Sequence, residues 1–250
     1  MSYQISRYMP VLAAALIAVG CAGAAGAANL TFASKHHDID TKNWSIASNG
    51  ASYDGQSCRW QAKNATLDGN ELQLALVEDQ EGEGQDAQKF IGCAQVSSVD
   101  SYSYGRYEAH LKAVSGSGVK TVFSTYAGPM SGSSTHDEIS IQIPGNNTQS
   151  AILSYYTNGK LRDKDVVKLG FDASQGFHTY AIYWRPARVQ WFIDGVGQYE
   201  STDDAVVPQT PGHIYLGLWS GSAADMGTFS YKQPEHAQIE WVRYTPLATK

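Results

Sequence analysis

The sequence predicts an all-β protein built as two packed antiparallel sheets. Apolar and polar residues alternate over short runs, the runs are evenly spaced, and turn residues separate them. No amphipathic stretch is long enough for a helix of three turns. Composition agrees: 24 Gly, 15 Tyr and 6 Trp in 250 residues favour strands, turns and an aromatic surface. With 42% hydrophobic and only 17% charged residues, the chain is not of the disordered class. The formal net charge of -6, from 18 basic and 24 acidic residues, argues against a general nucleic-acid binder.

The alternation predicts strands over 71–77, with Leu72, Leu74 and Leu76 on one face. Further strands are predicted over 104–112, 119–126, 138–143, 151–156, 178–184, 189–193, 213–219 and 238–244. Asp68-Gly69, Asn158-Gly159 and Asp194-Gly195 are tight-turn pairs between them. Residues 81–86 are polar and acidic and read as a solvated loop between strands. No linker and no internal repeat divides the chain, so residues 28–250 form a single domain.

Residues 1–27 read as a bacterial export signal. Arg7 supplies the positive start, Met9 to Val19 is a short apolar run, and small residues follow. Cleavage after Ala25-Gly26-Ala27 and lipidation of Cys21 are both open, which places the mature protein outside the cell, in the periplasm, or on a lipid anchor in the envelope. Contact with a membrane is expected only through such lipidation. Cys58 and Cys93 then remain, 35 positions apart. An exported chain can join them in a disulfide worth roughly 3–4 kcal/mol in the chain-entropy model; the alternative is a pair of buried thiols.

The chemically richest stretch runs from His136 to Gly145. As a strand, it puts His136, Glu138, Ser140 and Gln142 on one face and Ile139, Ile141 and Ile143 on the other. The isoleucines belong to the core. The polar face is either an ordinary solvated face or the lining of a cleft. Trp184, Trp191 and Trp219 recur in strand candidates, where aromatic rings fill a core or stack on a sugar.

Several segments resemble family 16 glycoside hydrolases, and bacterial lichenases (endo-1,3-1,4-β-glucanases) in particular. They include Gly105-Arg106-Tyr107-Glu108, Thr125-Tyr126-Ala127-Gly128-Pro129, Asp137-Glu138-Ile139 and Tyr155-Tyr156-Thr157-Asn158-Gly159. Leu169 to Ser174, Gly176 to Ala181, Trp191 to Gly195 and Thr210-Pro211-Gly212 continue the match in order. The resemblance implies a concanavalin-like β-jelly roll over residues 30–245. It also implies a disulfide between Cys58 and Cys93, and a polysaccharide partner of the β-glucan type.

The family's active-site strand reads Glu, any, Asp, any, Glu: nucleophile, tuning residue, general acid and base. Here the resemblance assigns the nucleophile to Glu138, with Ser140 and Gln142 at the other two positions. A retaining glycosidase needs a nucleophile and a proton donor on either side of the scissile bond. An amide has no useful acidic proton, so Gln142 can hydrogen-bond to a glycosidic oxygen but cannot protonate it. Loss of that donor costs roughly 10²–10⁴-fold. His136 is the residue on the same face that could replace it, although it lies on the wrong side of Glu138. Asp137 should face away.

The family's sugar-binding Glu and Arg are replaced by Gln95 and Ser97, and its aromatic at the start of the strand is His136. Tyr126, Tyr156 and Trp219 remain for stacking. No cofactor is expected. The family often holds a structural calcium near the chain ends, and Glu240 stands where relatives carry Asp. The foremost reading is an exported, catalytically impaired family member that binds β-glucan or a related extracellular polysaccharide. The second is a divergent retaining endo-β-glucanase or transglycosylase, and the third a non-catalytic envelope protein.

Overall fold

A computed structural model describes residues 26–48, 55–83, 85, 87–129, 133–201, 206–232 and 234–248. Of residues 1–27, expected to act as an export signal, 1–25 lie outside the described residues.

Strands dominate. The first are β1 (Ala28–Leu30), β2 (Trp44–Ile46), β3 (Arg59–Trp60), β4 (Ala65–Asp68), β5 (Glu71–Glu81) and β6 (Gln88–Tyr102). The middle of the chain forms β7 (Gly105–Lys112), β8 (Val119–Ala127), β9 (Asp137–Pro144), β10 (Ser150–Thr157) and β11 (Lys160–Lys168). The last are β12 (His178–Arg185), β13 (Arg188–Ile193), β14 (Val196–Ser201), β15 (Gly212–Ser220) and β16 (Glu235–Pro246). Among the described residues the helical segments are short 3-10 turns such as Ala62–Asn64. Asn158-Gly159 and Asp194-Gly195 take positive φ at both residues, at 53° and 74° and at 49° and 77°, as a two-residue hairpin turn requires.

The strands follow one hydrogen-bonded path, β11-β10-β9-β8-β15-β6-β5-β16-β7-β12-β13-β14. This corrects the expectation of two separate sheets. The joint is the β5–β6 hairpin, where Val77 to Glu81 pair with Gln88 to Gly92. Beyond that corner the two strands part. The later half of β6 pairs with β15, and the earlier half of β5 pairs with β16. One long hairpin thus carries the ladder from one half of the path to the other.

The two ends of the path meet through side chains. Tyr199 on β14 donates its hydroxyl to Asp163 on β11 at 2.8 Å, and Trp191 on β13 donates its indole N–H to the Ser140 carbonyl on β9 at 3.2 Å. The fold is all-β and consistent with the jelly roll that the resemblance implies.

One buried core cluster draws residues from both halves of the path. Ile139, Ile141 and Ile143 are fully buried, as the alternation predicts. Trp184 and Trp191 join them in the interior with Tyr107, Tyr155 and Tyr180, so these tryptophans are core and not ligand contacts. Each of the three isoleucines contributes roughly 1.5–3 kcal/mol on burial. Cys58 and Cys93 form a disulfide with Cα atoms 5.7 Å apart, tying the approach to β3 onto β6.

Candidate functional site

With its isoleucines turned into the core, β9 must present Glu138, Ser140 and Gln142 on the opposite side. Register then fixes their neighbours. Glu138 lies between Tyr156 on β10 and Tyr126 on β8. Ser140 lies between Ser154 and Ser124, and Gln142 between Ile152 and Val122. The rows continue onto β15, where Ser124 faces Tyr215 and Val122 faces Gly217. They reach β6 at Ser97 and Gln95. The sequence-predicted residues therefore share one face over five strands.

They do not all meet. A cavity of about 330 Å³ is lined by Glu138, Gln142, Tyr156 and Trp219, together with Lys120 and Asp225. Gln95 and Ser97 lie on the far side of β15 from it. Tyr126 sits beside Glu138 through its ladder pairing, with its ring 4.8 Å from that of His136. Ser140 is wholly buried beneath the cleft floor.

His136 is wholly buried too. Its ring lies between those of Tyr126 and Tyr156, with the second centroid 4.9 Å away, and its Nε2 is 3.0 Å from Glu138 Oε2. It touches the cleft through Glu138, which it orients. Asp137 faces away, as expected. Its carboxylate accepts backbone N–H groups from Asn158 at 2.8 Å and Thr210 at 3.3 Å, and so pins two loops.

The Gln142 end has a network that sequence reasoning missed. Lys120 donates to Gln142 Oε1 at 3.0 Å and to Asp225 Oδ1 at 3.1 Å. Lys164 donates to the other oxygen of Asp225 at 3.1 Å. Gln142 in turn donates to Ser140 Oγ at 3.2 Å, and Ser140 Oγ lies 3.0 Å from Ser154 Oγ. Lys120 also sits over the Trp219 ring, 5.5 Å from its centroid. The available signal was parity: stepping back by twos from Tyr126 puts Lys120, the one charged residue of β8, on the cleft face. Asp225 follows β15 in a segment without alternation, so no comparable signal marked it.

Burial pushes the Lys120 ammonium below its ordinary range, and Asp225 opposes that shift. Burial pushes Asp225 up, but Lys120 foremost, then Lys164, outweigh it and leave the carboxyl below the usual range. Burial also raises the Tyr156 hydroxyl, and the charge of Glu138 adds to the effect. Chemically, one end of this cleft offers an oriented carboxylate. The other offers an amide with both ends engaged, and an ammonium beside it.

Glu240, the residue through which the resemblance would place a structural calcium, lies on β16 and is exposed. Its carboxylate is 2.7 Å from Nδ1 of His110. Among the described residues no group of three or more His, Cys, Asp or Glu gathers as a metal site.

Residues 52–243 match the model of glycosyl hydrolases family 16. A β-glucanase of Paenibacillus macerans is 39% identical over 193 residues, covering 76% of this chain and 77% of the relative. A β-glucanase of Bacillus licheniformis is 33% identical over 98% of this chain and 99% of its own length. Among solved structures, the Bacillus licheniformis β-glucanase superposes with a TM-score of 0.78 at 32% identity, covering 89% of this chain and 99% of that one. A prokaryotic β-1,3-1,4-glucanase (lichenase) from a mouse hindgut metagenome gives 0.78 at 30%, covering 89% and 100%. With its strand order, its disulfide and Glu138 on the cleft face of β9, this chain belongs to family 16 of the glycosyl hydrolases.

Proposed function

We propose that this chain is an exported polysaccharide-binding protein that takes β-glucan or a related extracellular polysaccharide along the β6–β11 face and turns it over poorly. The two halves of the strand path serve as the two layers of a concanavalin-like jelly roll, with the glycan cleft on one of them. The observation that carries this reading is Gln142. It occupies the acid position, with its carbonyl held by Lys120 and its amide N–H by Ser140. Without an ionisable proton at that point, a sugar leaving group departs unassisted. Tyr156 and Trp219 keep aromatic surface in the cavity. A disulfide fits an oxidising compartment, which supports export.

A second reading rests on Glu138. Its side chain is 14% exposed, lines the cavity and is oriented by His136. That arrangement suits a nucleophile in a divergent retaining glycosidase or transglycosylase.

One assay separates these readings. Mature oxidised protein is incubated with β-glucans and with aryl β-glucosides, beside Glu138→Gln, and products are followed by mass. The binding reading expects saturable glucan affinity with no polymer cleavage. At most it expects slow turnover of the aryl substrate, whose leaving group needs no proton, and loss of that turnover in Glu138→Gln. Polymer cleavage abolished by the same substitution would establish the second reading. Neither affinity nor turnover would leave an envelope structural role.

A further inference from the structure

The strand that walls the cleft, β11, sorts its charges by face. Ser154 faces Lys164, Ile152 faces Val166, and Ser150 faces Lys168. Directly opposed residues in a ladder project to the same side, and Ile152 and Ser154 line the cavity. Lys164, Val166 and Lys168 therefore lie on the cleft side, and all three are exposed. The acids of the strand are on the other side. Asp163 faces Tyr155 and Asp165 faces Leu153, both core residues, and Asp163 is engaged by Tyr199. β11 ends the strand path, with β10 as its ladder neighbour, so its cleft side forms the open wall.

The floor repeats the pattern. The family motif would place carboxylates at positions 140 and 142, where this chain has Ser140 and Gln142. In their vicinity stand the ammonium groups of Lys120 and Lys164. Each takes one oxygen of Asp225, so this acid presents a neutralised edge to the cleft. An ammonium has three N–H donors, and the contact of Lys164 with Asp225 uses one. Its side chain is 42% exposed. In a chain of net charge -6, a basic wall facing a binding cleft runs against the overall field, which would repel a polyanion.

Resting on the reading that this cleft binds polysaccharide, we propose that its ligand is an acidic polysaccharide. Lys164 and Lys168 contact anionic substituents, carboxylate or sulfate, on sugars that stack across Tyr156 and Trp219. The uncharged Ser140 and Gln142 remove the repulsion that a three-carboxylate floor would exert on such a chain.

The test compares three polymers with one backbone: a neutral mixed-linkage β-glucan, its carboxymethyl derivative and its sulfate ester. Affinities for mature oxidised protein are measured by calorimetry at low and high salt, with Lys164→Gln/Lys168→Gln alongside. A charged derivative should bind about tenfold more tightly than the neutral polymer at low salt. The advantage should shrink as salt screens it and should fall towards parity in the double variant. Preference for the carboxymethyl form over the sulfate, or the reverse, identifies the substituent. Equal binding of neutral and charged polymers would overturn the inference while leaving the polysaccharide reading intact, as would a preference that survives the double substitution. Binding of none of the three would sink that reading and the inference with it.

Discussion

At one end of β9, Glu138 is a carboxylate gripped by a buried imidazole between tyrosine rings. At the other, Gln142 is an amide gripped by a buried ammonium and a serine hydroxyl. Both side chains leave one strand on one face and line one cavity. Backbone position settles where each points, but the neighbours decide what each can do. A carboxylate placed at position 142 would lie within hydrogen-bond reach of Lys120, which would favour its ionised form. A general acid needs the opposite bias. Lys120, Gln142 and Ser140 thus form one unit. Gln142 accepts from the ammonium and donates to the hydroxyl, which a carboxylate cannot do.

The largest effect expected concerns what holds the Gln142 end in place. The Cys58–Cys93 bridge sits there, and Cys58 Sγ accepts the N–H of Ser220 at 3.3 Å, next to Trp219. Cys58→Ala/Cys93→Ala should lower unfolding free energy by roughly 3–4 kcal/mol, read by urea denaturation. A loss below about 1 kcal/mol would show that the β6–β15 ladder holds this end without the bridge.

The next concerns the unit itself. Gln142→Glu alone should raise polymer cleavage less than about tenfold, because Lys120 keeps the new carboxyl ionised and Ser140 leaves the site untuned. Adding Lys120→Met and Ser140→Asp should raise it by about 10² or more, measured as reducing-end release. Full recovery from the single substitution would mean that the two ends are independent and that Lys120 does not govern the proton. A smaller effect separates the ends in binding. Trp219→Ala should weaken glucan affinity about tenfold, ~1.4 kcal/mol, by calorimetry. Tyr156→Phe keeps its ring and should bind nearly as the parent does. Unchanged affinity in Trp219→Ala would move the stacking platform elsewhere.

Much of this molecule was legible in the sequence for a physical reason. Where one face is buried and one is wet, period-2 alternation writes itself into the chain, as in β9 and β7. β11 escaped because each face mixes charged and apolar residues, Lys164, Val166 and Lys168 on the outer side and Asp163, Asp165 and Val167 on the inner, so hydropathy carries no period. β6 escaped because it serves two partners, β5 along its first part and β15 along its second, and its environment changes midway. That change also joins the expected two sheets into one path. At the site, Glu138 and Gln142 followed from alternation and resemblance, and the sealed position of His136 did not. An imidazole two residues before a strand acid reads as cleft lining until the tyrosines on β8 and β10 are seen to enclose it. The Lys120–Asp225 pair joins residues 105 apart in the chain, and nothing local marks such a contact.

The smallest effect tests whether that pair couples to the cleft charge. Asp225 is held below the usual carboxylate range, because Lys120 and Lys164 outweigh the upward push of burial. A depressed carboxyl contributes stability above its unfolded value, about 3.9, and the contribution disappears as pH falls through the lower folded value. The parent should therefore exceed Asp225→Asn in stability at neutral pH by under about 1 kcal/mol, since Asp225 is partly exposed. The two curves should converge in acid. Lys120 costs stability at neutral pH instead of adding to it, with a slope of the same sign at the alkaline end. Burial lowers its pKa, so the folded state sheds this proton before the unfolded chain does, and stability rises with pH in the window below about 10.4. Removing the Asp225 charge takes away what opposes that shift, so Asp225→Asn should show the steeper alkaline rise. Chemical denaturation across pH reads both limbs. Parallel curves throughout would mean that the ammonium and the carboxylate titrate independently, and that Lys120 is held at the Gln142 end by packing rather than by charge.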